Sequence, residues 1–135
     1  MTKKTEKLFT DSKLVVYTDG GARGNPGPAA LGVVVGNKEY SEYLGEVTNN
    51  QAEYRAVIFA LKKAKALLGG KKAAEAEIEV RMDSELIVKQ LNGEYKIKEL
   101  ELQPLFVQVW NLRLDFKKVN FAYVPREQNK QADRL

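Results

Sequence analysis

The sequence predicts an α/β layer fold on three observations. Three strand-like runs separated by turn residues stand at the front of the chain. The segment Thr48 to Leu68 then repeats its apolar residues at helical spacing. Two later strand-like runs are separated by helical stretches, the pattern of crossover connections in a partly parallel sheet.

The elements follow in order. Leu14-Val15-Val16-Tyr17-Thr18 reads as a buried strand ending at Asp19, and the Gly/Pro-rich GGARGNPGPAALG reads as a loop. Leu31 to Val35 and Tyr40 to Leu44 read as two more strands, joined through Gly36-Asn37-Lys38 as a hairpin. In the long helix, Ala52, Ala56, Phe59, Ala60, Ala64 and Leu67 form the stripe that lies on a sheet, and Gly69-Gly70 stops it. Ile78, Val80 and Met82 alternate with Glu79 and Arg81, a strand delivering Asp83 at its end. Ser84 is placed to cap a short helix, Glu85 to Leu91, which ends at Asn92-Gly93. A further helix runs from near Leu102 through Leu112, with Pro104 in its first turn, where its missing amide costs nothing. Val119 to Val124 is the last strand, and Asn129 is placed to cap a final helix carrying Asp133 in its first turn. The order is three strands, helix, strand, helix, helix, strand, helix, with the opening strands an antiparallel meander.

Composition narrows the chemistry. The 135 residues suit one domain, residues 1–135, with residues 1–12 a flexible polar tail. No repeat or linker divides it. Cysteine and histidine are both absent. Disulfides, thiolate zinc sites, cysteine nucleophiles and imidazole bases are therefore excluded, and any metal must be held by oxygen. The net charge of +4 suits a polyanionic partner without demanding one. No apolar run approaches the roughly 18 residues of a membrane span, and MTKKTEKLF lacks a signal-peptide core. The expectation is a soluble, cytoplasmic monomer with no membrane partner.

Four acids in four separate segments carry the functional argument: Asp19, Glu53, Asp83 and Asp133. Each has an ordinary explanation. Asp19 before two glycines fits a turn. Glu53, three residues after Asn50, fits a capping box, a role that competes for its carboxylate oxygens. Asp83 and Asp133 fit the preference for acids near helix N-termini. As a set they say more. If the strands ending near Asp19 and Asp83 are neighbours in one sheet, their ends and the adjoining helix N-termini can converge on one edge, where ligands of α/β sheets commonly bind. Four carboxylates brought together would repel and raise one another's pKa values unless a cation neutralised them. Oxygen-only ligands point to Mg²⁺ or Mn²⁺. Two such ions about 4 Å apart suit in-line attack on a phosphodiester and need neither histidine nor cysteine.

The segments YTDGGARGNPGPAALG, TNNQAEYRAVIFAL, DSELIVKQLNG and VPREQNKQADRL, in that order, resemble the type 1 ribonuclease H family over Tyr17 to Leu135. The resemblance implies a ribonuclease H-like fold, a five-stranded mixed sheet with its first three strands antiparallel, flanked by helices. It implies two-metal hydrolysis of the RNA strand of an RNA–DNA hybrid, leaving a 5′-phosphate and a 3′-hydroxyl. The family's catalytic and metal-binding acids then fall on Asp19, bridging both ions, Glu53 and Asp83 on the first, and Asp133 on the second. The family's glutamate also meets the ribose 2′-hydroxyl that distinguishes RNA from DNA. Substrate contacts carry over to Asn25, Thr48, Asn49 and Asn50, which equally suit turn and cap roles.

Three departures stand out. The loop before the last acid, VPREQNKQ, lacks the histidine of well-known members, and Arg126 is the residue considered for a loop role there, against a plain exposed charge. NGEYKIKELELQP is shorter and more mixed in charge than the basic, aromatic-rich protrusion of some relatives, and Trp110 in the next helix reads as core. Lys3, Lys4 and Lys7 read as a solvated tail. Finally, only two residues follow Asp133, so its helix has few internal bonds and is expected to hold the acid loosely. Among other classes, a phosphate-binding NTPase is rejected because the glycine loop lacks a Gly-Lys-Ser/Thr ending. A silent nucleic-acid-binding module, a double-stranded RNA nuclease, a reverse-transcriptase-associated domain, a resolvase and a transposase core are the alternatives. The TNNQAE and GNPGP segments favour ribonuclease H among them.

Overall fold

The computed structural model describes residues 9–10 and 13–134. In chain order the elements are β1 (Phe9–Thr10), β2 (Lys13–Ala22), β3 (Gly27–Val35), β4 (Lys38–Val47), α1 (Asn49–Leu68), α2 (Gly70–Glu75), β5 (Glu77–Met82), α3 (Glu85–Leu91), α4 (Gln103–Leu112), β6 (Lys118–Tyr123) and α5 (Lys130–Asp133). The sheet runs β4-β3-β2-β5-β6, with β2, β3 and β4 antiparallel and β5 and β6 parallel to β2 and to each other. This is the five-stranded mixed sheet expected. Off that path, β1 adds a two-residue antiparallel pairing to Lys13 and Leu14, within the stretch expected as a tail. Lys3, Lys4 and Lys7 lie outside the described residues.

The alternation along β2 and β5 decides which face is core. Leu14, Val16, Ile78, Val80 and Met82 are buried, and they meet Val33 and Val35 of β3 beneath Ala56, Val57, Ala60 and Leu61 of α1. The intervening residues Lys13, Tyr17, Glu79 and Arg81 are half-buried on the opposite face. Small residues dominate the buried stripe of α1, which lets the helix lie close to the sheet. At Gly20 the approach is closest. A methyl group there would overlap the backbone of Ala52 and Glu53.

The strands are longer than the apolar runs suggest. β2 continues through Gly20-Gly21-Ala22, and β3 begins at Gly27, so much of the glycine-rich segment pairs as hairpin rather than loop. The helix α2 also follows directly after Gly69, where the sequence indicates only a stop. Tyr54, fully buried in α1, donates its hydroxyl to Gln90 of α3 at 2.8 Å and ties these helices together. Trp110 is not core. It is 42% exposed, stacked on Phe106 with the Arg113 guanidinium over its ring. No described helix is long and apolar enough to cross a membrane.

Candidate active site

Four elements deliver the four acids. Asp19 lies within β2 rather than at its end, on the face opposite the core. Asp83 follows the last residue of β5, and Thr18 pairs with Met82 in the parallel register, so Asp19 and Asp83 come off adjacent strands side by side.

Glu53 depends on how α1 begins. Thr48, not Asn50, is the N-cap. Its hydroxyl oxygen accepts the Gln51 amide at 3.1 Å, and Gln51 Oε1 accepts the Thr48 amide at 2.8 Å. The capping box thus closes on Gln51. Glu53 sits two residues further in, with its carboxylate free of the cap. Gly20 then lets this turn of α1 reach β2 beside Asp19. The Ser84 hydroxyl donates to Glu53 while its oxygen accepts the Ile87 amide at 3.3 Å, so one side chain caps α3 and orients Glu53.

Asp133 is brought in by the last element. Asn129 does not cap α5 with its side chain. Instead, its buried amide donates to the Thr18 carbonyl at 3.0 Å, next to Asp19 in the chain. Together with buried Ala132, this pins the four-residue helix to β2 despite its shortness.

The electrostatics are those of acids lacking counter-charge. Burial, a hydrogen bond shared with Asp133, and the charges of Asp83, Asp133 and Glu53 push the Asp19 carboxyl from 3.8 up to about 8. Burial and the charge of Asp83 push Glu53 from 4.5 up to about 7, against lowering by Ser84 and Arg126. Asp83 is 9% exposed. Among the described residues its Oδ2 accepts no hydrogen bond, and the 78%-exposed Arg126 guanidinium lies 3.8 Å away. Among the described residues no three acids are drawn into ready-made metal-holding geometry. An orphaned buried carboxylate oxygen, two carboxyls raised towards neutrality and an all-oxygen donor set fit a hard divalent cation.

The candidate substrate residues form the rim. Asn49 Oδ1 accepts the Ala22 amide at 3.1 Å, and Asn25 Oδ1 accepts the Asn49 amide at 3.1 Å. These bonds lock the Arg23–Pro26 turn to the start of α1 through the oxygens of both side chains. Asn50, half-buried in the first turn of α1, does not cap it. Sequence reasoning missed the roles of Gly20 and Asn129. The glycine pair after Asp19 and a buried-side asparagine four residues before Asp133 were their only signals.

The reverse transcriptase-like family signature matches residues 17–135. The bifunctional protein Rv2228c of Mycobacterium tuberculosis is 44% identical over 130 residues, covering 91% of this chain and 34% of its own length. The chain thus spans about a third of that relative. Ribonuclease HI of Halobacterium salinarum is 38% identical over 125 residues, covering 88% of this chain and 60% of its own. The structure of LC11 ribonuclease H1, from a compost metagenome and solved with an RNA/DNA hybrid, superposes with a TM-score of 0.84 at 48% identity, covering 90% of this chain and 91% of that one.

Proposed function

Since the chain belongs to the ribonuclease H family, we propose that it is an endonuclease that hydrolyses the RNA strand of RNA–DNA hybrids, leaving 5′-phosphate and 3′-hydroxyl ends. The observation that carries this reading is the coupling of Asp19 to Glu53, Asp83 and Asp133, acids from four elements, with Asp83 Oδ2 buried and without a hydrogen bond among the described residues.

Asp19, Glu53, Asp83 and Asp133 would hold two divalent cations, Mg²⁺ or Mn²⁺, with Asp19 shared between them. When bound, these cations would neutralise charge developing on the attacking and leaving oxygens of an in-line displacement at phosphorus. The chain's own groups do the rest. Ser84 orients Glu53, which is placed to meet the ribose 2′-hydroxyl and so to select RNA. Asn129 fixes the segment carrying Asp133, and the capping box leaves the Glu53 oxygens uncommitted. Asn25 and Asn49 present their side-chain amide nitrogens to the substrate backbone, because their oxygens are occupied by the turn. Thr48 retains its hydroxyl proton for a phosphate, and Asn50 lies beside it. Arg126 faces the acids across 3.8 Å and takes the loop role of attracting the phosphodiester to them. The same reading takes residues 1–135 as one ribonuclease H domain, acting as a cytoplasmic monomer.

Cleavage of a labelled RNA–DNA hybrid with Mg²⁺ or Mn²⁺ tests the proposal, with RNA duplex and four-way junction as controls. Metal-dependent cutting of the RNA strand alone is expected, and Asp19→Asn should abolish it. Hybrid binding without cutting under either metal would favour a silent binding module instead.

A further inference from the structure

Beside the acids, a cavity of about 480 Å³ opens among residues of β2, β3, β4 and the start of α1. Its Gly21, Ala30 and Tyr43 side lies on the same face of the sheet as Asp19, while Ala22, Ala29 and Asn49 line it from the helix-covered side. Asp19 and Gly21 alternate to one side of β2. Gly21 pairs with Ala30, and Ala30 pairs with Tyr43. Cross-strand partners share a face, so Gly21 and Ala30 form a low floor and Tyr43 a wall. Asn49, already tied to the Ala22 amide, forms the opposite wall, and Arg23 completes the lining.

A bulge in β4 sets the position of Tyr43. The register shifts so that Ala29 pairs with Gly45 and Ala30 with Tyr43, leaving Leu44 unpaired. Gly45 adopts φ +76°, a conformation open to glycine. Leu44 turns towards Phe59 and Ile58 on the helix-covered side, and Tyr43 is left 68% exposed. Two strand spacings, roughly 10 Å, separate the strand of Tyr43 from that of Asp19. Among the described residues this large aromatic ring stays open to water beside an arginine and a floor of small residues.

We propose that this cavity is a substrate subsite, in which Tyr43 packs against a ribose of the cleaved strand and Arg23 neutralises an adjoining phosphate. The inference rests on the nuclease reading above. In a duplex the bases are paired, so a strand crossing the sheet offers chiefly its sugars and phosphates. A strand with a phosphate at Asp19 that runs on towards β4 passes Gly21, where a floor of small residues lets the backbone come close. The aromatic face suits the sugar, and the guanidinium suits the phosphate.

The experiment measures hybrid affinity in the cleavage-inactive Asp19→Asn background and steady-state kinetics in the active one. Tyr43→Ala is expected to weaken hybrid binding about tenfold with an unchanged salt slope, the effect falling mainly on KM. Tyr43→Phe should restore binding. Arg23→Gln should lower the slope of log K against log salt by about one phosphate. In hybrids whose RNA strand is shortened one nucleotide at a time, the Tyr43→Ala penalty should vanish at one length. The penalty following the DNA strand's length, or a change under twofold while the parent binds and cuts, would overturn the subsite and leave the nuclease reading standing. A folded parent that neither binds nor cuts the hybrid would overturn both.

Discussion

At the start of β2 and β5, the Glu79 carboxylate lies between Lys13 at 2.6 Å and Arg81 at 2.5 Å, and Arg81 also donates to the Tyr17 hydroxyl at 2.7 Å. The hydrogen bond from Lys13 outweighs partial burial, and with Arg81 it holds Glu79 below its ordinary range. Further along the same strands, the cation facing the acids among the described residues is the exposed Arg126 guanidinium, and Asp19 and Glu53 are pushed up instead. The difference teaches where to look for chemistry. A carboxylate whose counter-charge is built into the chain is structural. A group of half-buried carboxylates without one holds protons or takes its counter-charge from a bound cation, and is the place to test for chemistry.

The largest break in this comparison is Asp19→Asn. It should reduce hybrid cleavage to background while raising the melting temperature of the metal-free protein, because it removes a repelled charge at the centre of the group. Calorimetry without metal, paired with the cleavage assay, checks both halves, and a fall in both would count against the repulsion argument. Gly20→Ala comes next. Its methyl would strike the backbone of α1, so a loss of about 1–3 kcal/mol is expected, with reduced cleavage as Glu53 moves from Asp19.

The contrast also predicts opposite pH behaviour. Asp19 and Glu53 keep protons in the folded state that the unfolded chain releases near 3.8 and 4.5. Their favourable contribution is complete below about pH 4 and is lost as pH rises through about 7 to 8. Glu79, being lowered, contributes constantly above its unfolded value of 4.5. Metal-free protein should therefore melt lower at pH 8 than at pH 5.5, and Mg²⁺ should close the gap. A flat profile in chelator would refute this account. The smallest effect is expected from Glu79→Gln, about 1 kcal/mol by denaturant titration, with cleavage little changed.

Much of this was legible from the residues. Alternation exposed β5, the small-residue stripe exposed α1, and Ser84 was placed correctly as the cap of α3. The misreadings share a physical cause. Gly20-Gly21-Ala22 carries turn chemistry locally, but the close packing of α1 needs a residue without a side chain inside a strand. Asn50 and Asn129 are good caps by propensity, yet Thr48 takes the first role and a distant carbonyl takes the amide of the second. Trp110 reads as core by composition, but the neighbouring α4 residues leave it at the surface. At Gly20 and Asn129 a tertiary contact outranked a local preference, whereas at α1 one local capping box, Thr48 with Gln51, displaced another.

The bond from Asn129 to the Thr18 carbonyl joins residues 111 positions apart. Closing so long a loop carries a large entropic cost, and four helical residues cannot meet it alone. Docking of α5 must wait until the sheet already presents that carbonyl. If Asp133 serves the proposed cleavage, regain of cutting after dilution from denaturant should lag regain of the far-ultraviolet helical signal.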